Sequence, residues 1–278
     1  MSQSLETKDT DQKMGFFNKF LSMPNDSIPK TLFVAVALCL VCSLVVAGSA
    51  VFLKPIQTTN QALDIKQNIV EVAGLLKGGQ SVDEAFQKIE TRMVDLSTGE
   101  YTDAVDPGNY DQRQAVKDAS LSQPVPPDQD IAKIKRQAKY APVYLVKEDD
   151  TVKTIILPVH GYGLWSTMYG FLAIESDLNT VVGLKFYDQK ETPGLGGEVE
   201  NPLWRAQWEA KKIHDDDGEL RIEVLKGTVD KTREESQYQV DGLAGSTITS
   251  RGVTNLLRYW LGENGFGPYL DQLSTERG

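Results

Sequence analysis

The stretch Thr31–Leu53, TLFVAVALCLVCSLVVAGSAVFL, runs for 23 residues without a charge. As a helix rising about 1.5 Å per residue it is roughly 34 Å long, enough to cross a hydrocarbon core of ~30 Å once. A cleaved signal peptide is the competing reading. Against it, 30 residues precede the run, and the apolar core of a signal peptide is usually only ~7–15 residues, so the run is read as an uncleaved anchor. Lys8, Lys13, Lys19 and Lys30 come before it and only Lys54 and Lys66 shortly after, which places the N-terminus in the cytoplasm. Phe16, Phe17 and Phe20 beside lysines suggest a short interfacial helix. The rest of the chain is then expected outside: in a Gram-negative bacterium, a periplasmic domain held on the inner membrane by one span.

The 278 residues, 40% hydrophobic and 24% charged, suit one medium domain plus attachments. A net charge of −10 with no Lys/Arg cluster argues against nucleic acid as a partner. Cys39 and Cys42 are the only cysteines and both lie in the apolar run, so no disulfide framework is expected. Their C-x-x-C spacing lacks a flanking βαβ pattern and a second ligand pair. They read as packing or lipid-facing residues, the alternative being a contact to a metal centre completed by another subunit. No His, Asp and Glu cluster has metal-ligand spacing.

After the span, Leu63, Ile69, Val70, Ala73 and Leu76 recur at helical spacing until Gly78-Gly79. Ser81-Val-Asp-Glu84 is a capping-box pattern, and Phe86, Ile89, Met93 and Leu96 predict a second helix behind it. Residues 97–129 are rich in Asp, Ser, Gly and Pro and predict an irregular connection, with one helical turn near Gln112–Asp118. The period then changes. Residues 143–146, 154–157, 169–174 and 181–186 predict antiparallel strands, 204–208 a short helix, 220–225 and 238–240 further strands, and 252–261 a terminal helix. The fold class is α+β. The expected division is a cytoplasmic segment 1–30, a transmembrane helix 31–53, a helical and irregular connecting region 54–130, and a domain 131–278.

Asp241-Gly-Leu-Ala-Gly-Ser-Thr-Ile-Thr-Ser250 packs two glycines and four hydroxyl residues between a predicted strand and a predicted helix. Glycine lets backbone approach an anion closely, and helix-start amides favour negative charge, so the segment suits a phosphate. A Ser/Thr-rich N-cap after a glycine turn is also common in purely structural roles.

This segment resembles the flavinylation motif of the FMN-binding domain shared by the C-subunit of Na⁺-pumping NADH:quinone reductases and the G-subunit of Rnf complexes. That motif runs Asp-Gly-x-Ser-Gly-Ala-Thr-x-Thr. The resemblance implies that Thr247 receives FMN, from FAD and through a dedicated flavin transferase, as a phosphoester. Ala244 and Ser246 depart from the usual Ser and Ala, and the extra hydroxyl of Ser246 leaves Ser246 and Thr249 as alternative acceptors. His160-Gly-Tyr-Gly-Leu-Trp165 and Glu191-Thr-Pro-Gly-Leu-Gly-Gly-Glu-Val-Glu-Asn-Pro-Leu-Trp204 resemble the C-subunit branch, and the likeness covers essentially the whole chain.

On this reading 131–278 is an FMN-binding domain with an antiparallel sheet and flanking helices. Its cofactor-binding candidates are Asp241, Gly245, Ser246, Thr247 and Thr249, with Trp165, Glu191, Thr192, Gly194, Leu195 and Gly196 around the flavin. Leu195 offers an apolar face and Thr192 a hydrogen bond to the ring edge. Trp165 fits either the flavin or the core, and Glu191 either the flavin or its own loop. His160 is read as structural and His214 as a surface turn residue. The resemblance further implies electron transfer within a membrane complex carrying electrons from NADH to ubiquinone with Na⁺ export. Its partners would be the other subunits, the transferase and lipid. The chain has no G-x-G-x-x-G dinucleotide fingerprint, so NADH oxidation would fall to another subunit. The G-subunit of an Rnf complex, an anchored structural module and, more remotely, a hydrolase with a Ser246 or Thr247 nucleophile are the alternatives.

Overall fold

The computed structural model describes residues 22–24, 27–76, 81–149 and 151–277. The Phe16–Phe20 segment and Gly78-Gly79 lie outside them. Helix α1, Ile28–Val72, is continuous for 45 residues and unites the apolar run with the helical pattern that follows. Pro55 lies inside it and withdraws one N–H from the ladder. The hydroxyls of Thr58 and Thr59 donate to the carbonyls of Lys54 and Pro55, one turn earlier. The chain divides into two compact units, Met1–Ala62 and Leu63–Gly278.

The second unit is built on a five-stranded antiparallel sheet made of β1 (Ile89–Asp95), β4 (Tyr140–Glu148), β5 (Thr151–Tyr162), β6 (Thr167–Glu175) and β7 (Val181–Asp188). The strands lie side by side in the order β1-β4-β5-β6-β7. Between β1 and β4 in the chain come β2 (Ser122–Pro124) and β3 (Arg136–Ala138), an antiparallel pair of their own. Both faces of the sheet are covered, as its apolar runs require. Leu157, Val159, Met168, Leu172 and Ile174 enter the larger core, whereas Ile156, Phe171 and Ala173 meet Ile69, Val70 and Val72 from the end of α1. The period of two in β6 sorts its residues cleanly between these cores. Glu71 fastens the end of α1 through ion pairs with Lys185 of β7 and Arg205.

The four expected central strands are all present, and three other expectations are corrected. The capping box at Ser81 forms, with both reciprocal bonds at 3.2 Å, but helix α2 ends after Val82–Phe86. Ile89–Asp95 is strand β1, paired with β4 from Ile89↔Val146 to Asp95↔Tyr140. Phe86, Ile89, Met93 and Leu96 match a helical period, yet Ile89 and Val94 are buried on opposite faces of the sheet; long-range pairing overrode the local pattern. In the connection, α3 (Gln112–Ala115) supplies the expected turn. The strand expected at 220–225 shrinks to β8 (Glu223–Val224), which pairs in parallel with β9 (Gln239–Val240) outside the main sheet. Between β7 and β8, the short helix α4 (Pro202–Arg205) continues into a 3₁₀ turn to Trp208, as expected.

The helix expected from Gly252 begins five residues earlier and is not the last. Helix α5 spans Thr247–Leu261, and α6, Gly267–Arg277, follows it. Thr and Ser are poor helix formers because their hydroxyls compete for backbone groups. Here the hydroxyls of Thr249 and Ser250 are instead bonded to Glu191 and to the Leu243 amide. α5 lies against the far end of β5, where Trp260 Nε1 donates to the His160 carbonyl at 2.7 Å. β5 is available there because its pairing with β4 stops at Ile156. Continuing that register would oppose Pro142 and Pro158, neither of which carries an N–H, so the ladder ends and the strands part.

Candidate functional site

Three segments meet at the N-terminus of α5: the β5–β6 turn, the loop after β7, and the Asp241–Ser250 run. Their junction is the carboxylate of Glu191, only 5% exposed. It accepts hydrogen bonds from the amides of Leu164 (3.1 Å), Trp165 (2.9 Å) and Ser166 (3.3 Å) and from the Thr249 hydroxyl (2.7 Å). A buried carboxylate needs such donors. It also dictates its neighbours: a Cβ on Gly163 would stand 2.6 Å from Glu191 Oε1, and one on Gly196 2.7 Å from Thr249 Oγ1 and 2.8 Å from Glu191 Oε2. The Glu191 carboxylate thus bonds the β5–β6 turn and the start of α5 rather than its own loop.

The loop Thr192–Leu195 turns tightly, the Thr192 carbonyl accepting from the amides of Leu195 and Gly197. Gly194 adopts φ +74°. Thr192 is exposed, and Leu195, 42% exposed, lies over Gly245, whose φ is +71° and where a Cβ would come within 3.0 Å of Leu195 Cδ2. Asp241 is turned elsewhere. Its carboxylate accepts from the Val229 amide at 2.7 Å and its carbonyl from Trp204 Nε1 at 2.8 Å, so it holds the strand end beneath the motif.

The three candidate hydroxyls differ sharply in access. Thr249 is fully buried and Ser246 is 5% exposed, whereas Thr247, the first residue of α5, is exposed. Ser246 occupies the N-cap without a side-chain cap bond, so the first-turn amides are not closed off by a hydroxyl. Trp165 is 65% exposed and is therefore not a core residue. Leu164, Ile248 and Leu203 are exposed too. Sequence reasoning passed over these three; Ile248, an apolar residue between two threonines at a helix start, was the available signal.

The residues present fit FMN: an accessible hydroxyl and uncapped amides for its phosphate, a glycine-lined cradle, and exposed Trp165 and Leu195 for its rings.

Both histidines stand apart from this junction. His160 is buried between Tyr169 and Trp260, with ring centroids 5.3 and 4.8 Å away, and burial, reinforced by Arg113, lowers its pKa to about 4. His214, expected at a surface turn, is half-buried and bridges to Leu220. Among the described residues no group of His, Cys, Asp and Glu could hold a metal, and Cys39 and Cys42 are free thiols exposed on α1.

Residues 163–262 match the family model of the FMN-binding domain. The chain is 50% identical over 252 residues to the C-subunit of the Na⁺-translocating NADH-quinone reductase of Pseudomonas aeruginosa, covering 89% of this chain and 97% of that one. It is 52% identical over 247 residues to the C-subunit of Vibrio anguillarum, covering 88% and 95%. The chain belongs to the C-subunit family of Na⁺-translocating NADH-quinone reductases. The crystal structure of Shewanella oneidensis NqrC, 32% identical, superposes with a TM-score of 0.70 over 76% of this chain and 96% of its own. The C-subunit of Parabacteroides distasonis, 28% identical, gives 0.59 over 78% and 96%. This separates the chain from the Rnf reading. As a C-subunit, with a long apolar helix ahead of an FMN-binding domain, it is a membrane-anchored part of a larger complex.

Proposed function

We propose that this C-subunit carries FMN as a phosphoester on Thr247 and relays electrons between its neighbours in a complex that oxidises NADH, reduces quinone and exports Na⁺. The observation that carries the attachment site is the contrast in access: Thr247 is exposed at the start of α5, while Ser246 and Thr249 are buried. In the attachment step the Thr247 oxygen bonds to the phosphorus of FMN, the phosphoanhydride of FAD breaks, AMP leaves, and the hydroxyl proton is lost. A flavin transferase catalyses this step.

Bound FMN supplies reversible electron uptake and release. The protein's part is to hold the phosphate at the helix start, with Gly245 allowing close approach, and to face the rings with Trp165, Leu195 and the Thr192–Gly196 loop. Covalent attachment keeps the cofactor on a domain that we place on the periplasmic side, the lysine-rich N-terminus remaining in the cytoplasm.

The test is the intact mass of the full chain co-expressed with the transferase, with peptide mapping across Asp241–Arg251 and a Thr247→Leu control. A gain of one FMN less one water on Thr247, absent in the control, is expected. A colourless, unmodified wild type would reject the covalent carrier.

A further inference from the structure

The hydroxyl that flavinylation needs and the hydroxyl that Glu191 holds sit two residues apart in the first turn of α5. Successive helical residues are rotated by about 100°, so Thr247 and Thr249 project from nearly opposite sides of the helix. Thr249 is buried and donates to Glu191 Oε2 at 2.7 Å. Any rotation of the helix that turned Thr247 inward would draw Thr249 off its partner. The Thr249–Glu191 bond therefore fixes the rotational phase of the helix start. The same carboxylate accepts from the amides of Leu164, Trp165 and Ser166, and so places exposed Trp165 relative to that helix.

We infer that Glu191 and Thr249 are positioning residues: their hydrogen bond presents Thr247 outward for flavin transfer and sets the Trp165 turn beside it. The inference rests on the proposed attachment at Thr247. Glu191 then acts through its protein donors, and Thr249 serves flavinylation without being an acceptor. The first turn needs such a device because Ser246 makes no side-chain cap bond, leaving the helix start without the usual local clamp.

The experiment follows the rate of flavin incorporation in full-length chains co-expressed with the transferase, read by in-gel flavin fluorescence and intact mass, alongside the melting temperature of each apo chain. Thr249→Val keeps the shape and removes the hydroxyl, and Thr249→Ser restores the donor. Thr254→Val is the control. It also loses a buried hydroxyl bond on α5, 2.9 Å from the Val224 amide, but does not touch Glu191. Hydrogen bonds to charged groups are strong, so incorporation into Thr249→Val is expected to fall by about tenfold or more. Thr249→Ser should recover most of it, and Thr254→Val should match wild type despite a comparable loss of melting temperature. Equal incorporation into Thr249→Val and wild type overturns the inference, as does a loss shared by Thr254→Val in proportion to stability. If Thr249→Val does not fold, Thr249→Ser and Glu191→Gln carry the comparison: slowed incorporation into a folded Glu191→Gln supports the positioning role, and wild-type incorporation rejects it. An unmodified wild type overturns the attachment itself and this inference with it. Wild type modified on Thr247 with Thr249→Val unaffected overturns only the latter.

Discussion

At the scale of single residues, a buried charge governs what its neighbours can be. Glu191 leaves no space for a side chain at position 196, so Gly196→Ala forces a Cβ into the space of Glu191 and Thr249. A loss of about 1–3 kcal/mol is expected in denaturant titrations of the apo chain. His160 supplies a pH signature. Burial holds it neutral when folded down to about pH 4, against an ordinary value of 6.5. Between those values the unfolded chain binds the extra proton, so stability falls as pH drops, by at most about 1.4 kcal/mol per pH unit. His160→Phe should flatten that stretch of a stability–pH curve; an unchanged slope would assign it to other groups. The motif residues were legible in the sequence because glycines and hydroxyls cluster there within ten positions. The bond between Thr249 and Glu191 was not, since its partners are 58 residues apart and neither residue type demands the other.

At the scale of elements, the strands of the central sheet could be read because their alternation and β-branched content are local properties. β1 could not, because its pairing with β4 comes from a distant segment and its apolar spacing imitates a helix. The same burial makes it sensitive: Met93, 2% exposed and paired with Pro142, should cost about 2–5 kcal/mol when replaced by Ala, measured by chemical denaturation. The end of α1 depends on Glu71 in a similar way. Burial alone would raise its pKa, but hydrogen bonds and charge from Lys185 and Arg205 outweigh that and hold it below the ordinary 4.5. Its contribution is therefore present above pH 4.5 and lost as pH falls through the lowered value. Glu71→Gln should weaken the fold at neutral pH by about 1 kcal/mol, solvent screening limiting the loss at this part-exposed pair, and narrow the gap to wild type in acid.

For the whole molecule, both hydrophobic cores lie entirely within Leu63–Gly278. A chain beginning at Leu63 should purify without detergent and melt in one cooperative transition, checked by gel filtration and circular dichroism; aggregation would show that the preceding unit, Met1–Ala62, contributes to the fold. Protease added to intact spheroplasts should remove the Leu63–Gly278 unit if the lysine-biased N-terminus is cytoplasmic, and should spare it if the orientation is reversed. The long apolar helix and the α+β class were legible from the start, whereas α6 was not, because its buried Tyr269, Leu270 and Leu273 follow a glycine-rich break that gives no periodic signal.

The opposed prolines that part β4 from β5 have an effect on crowding as well as on architecture. A strand margin released from its neighbour is where another molecule's chain can pair and start an aggregate. Because Pro158 offers no N–H at that margin, and Trp260 and the Ala132 carbonyl already engage His160 and Tyr162, domains concentrated on a membrane surface can collide repeatedly without zipping into one another.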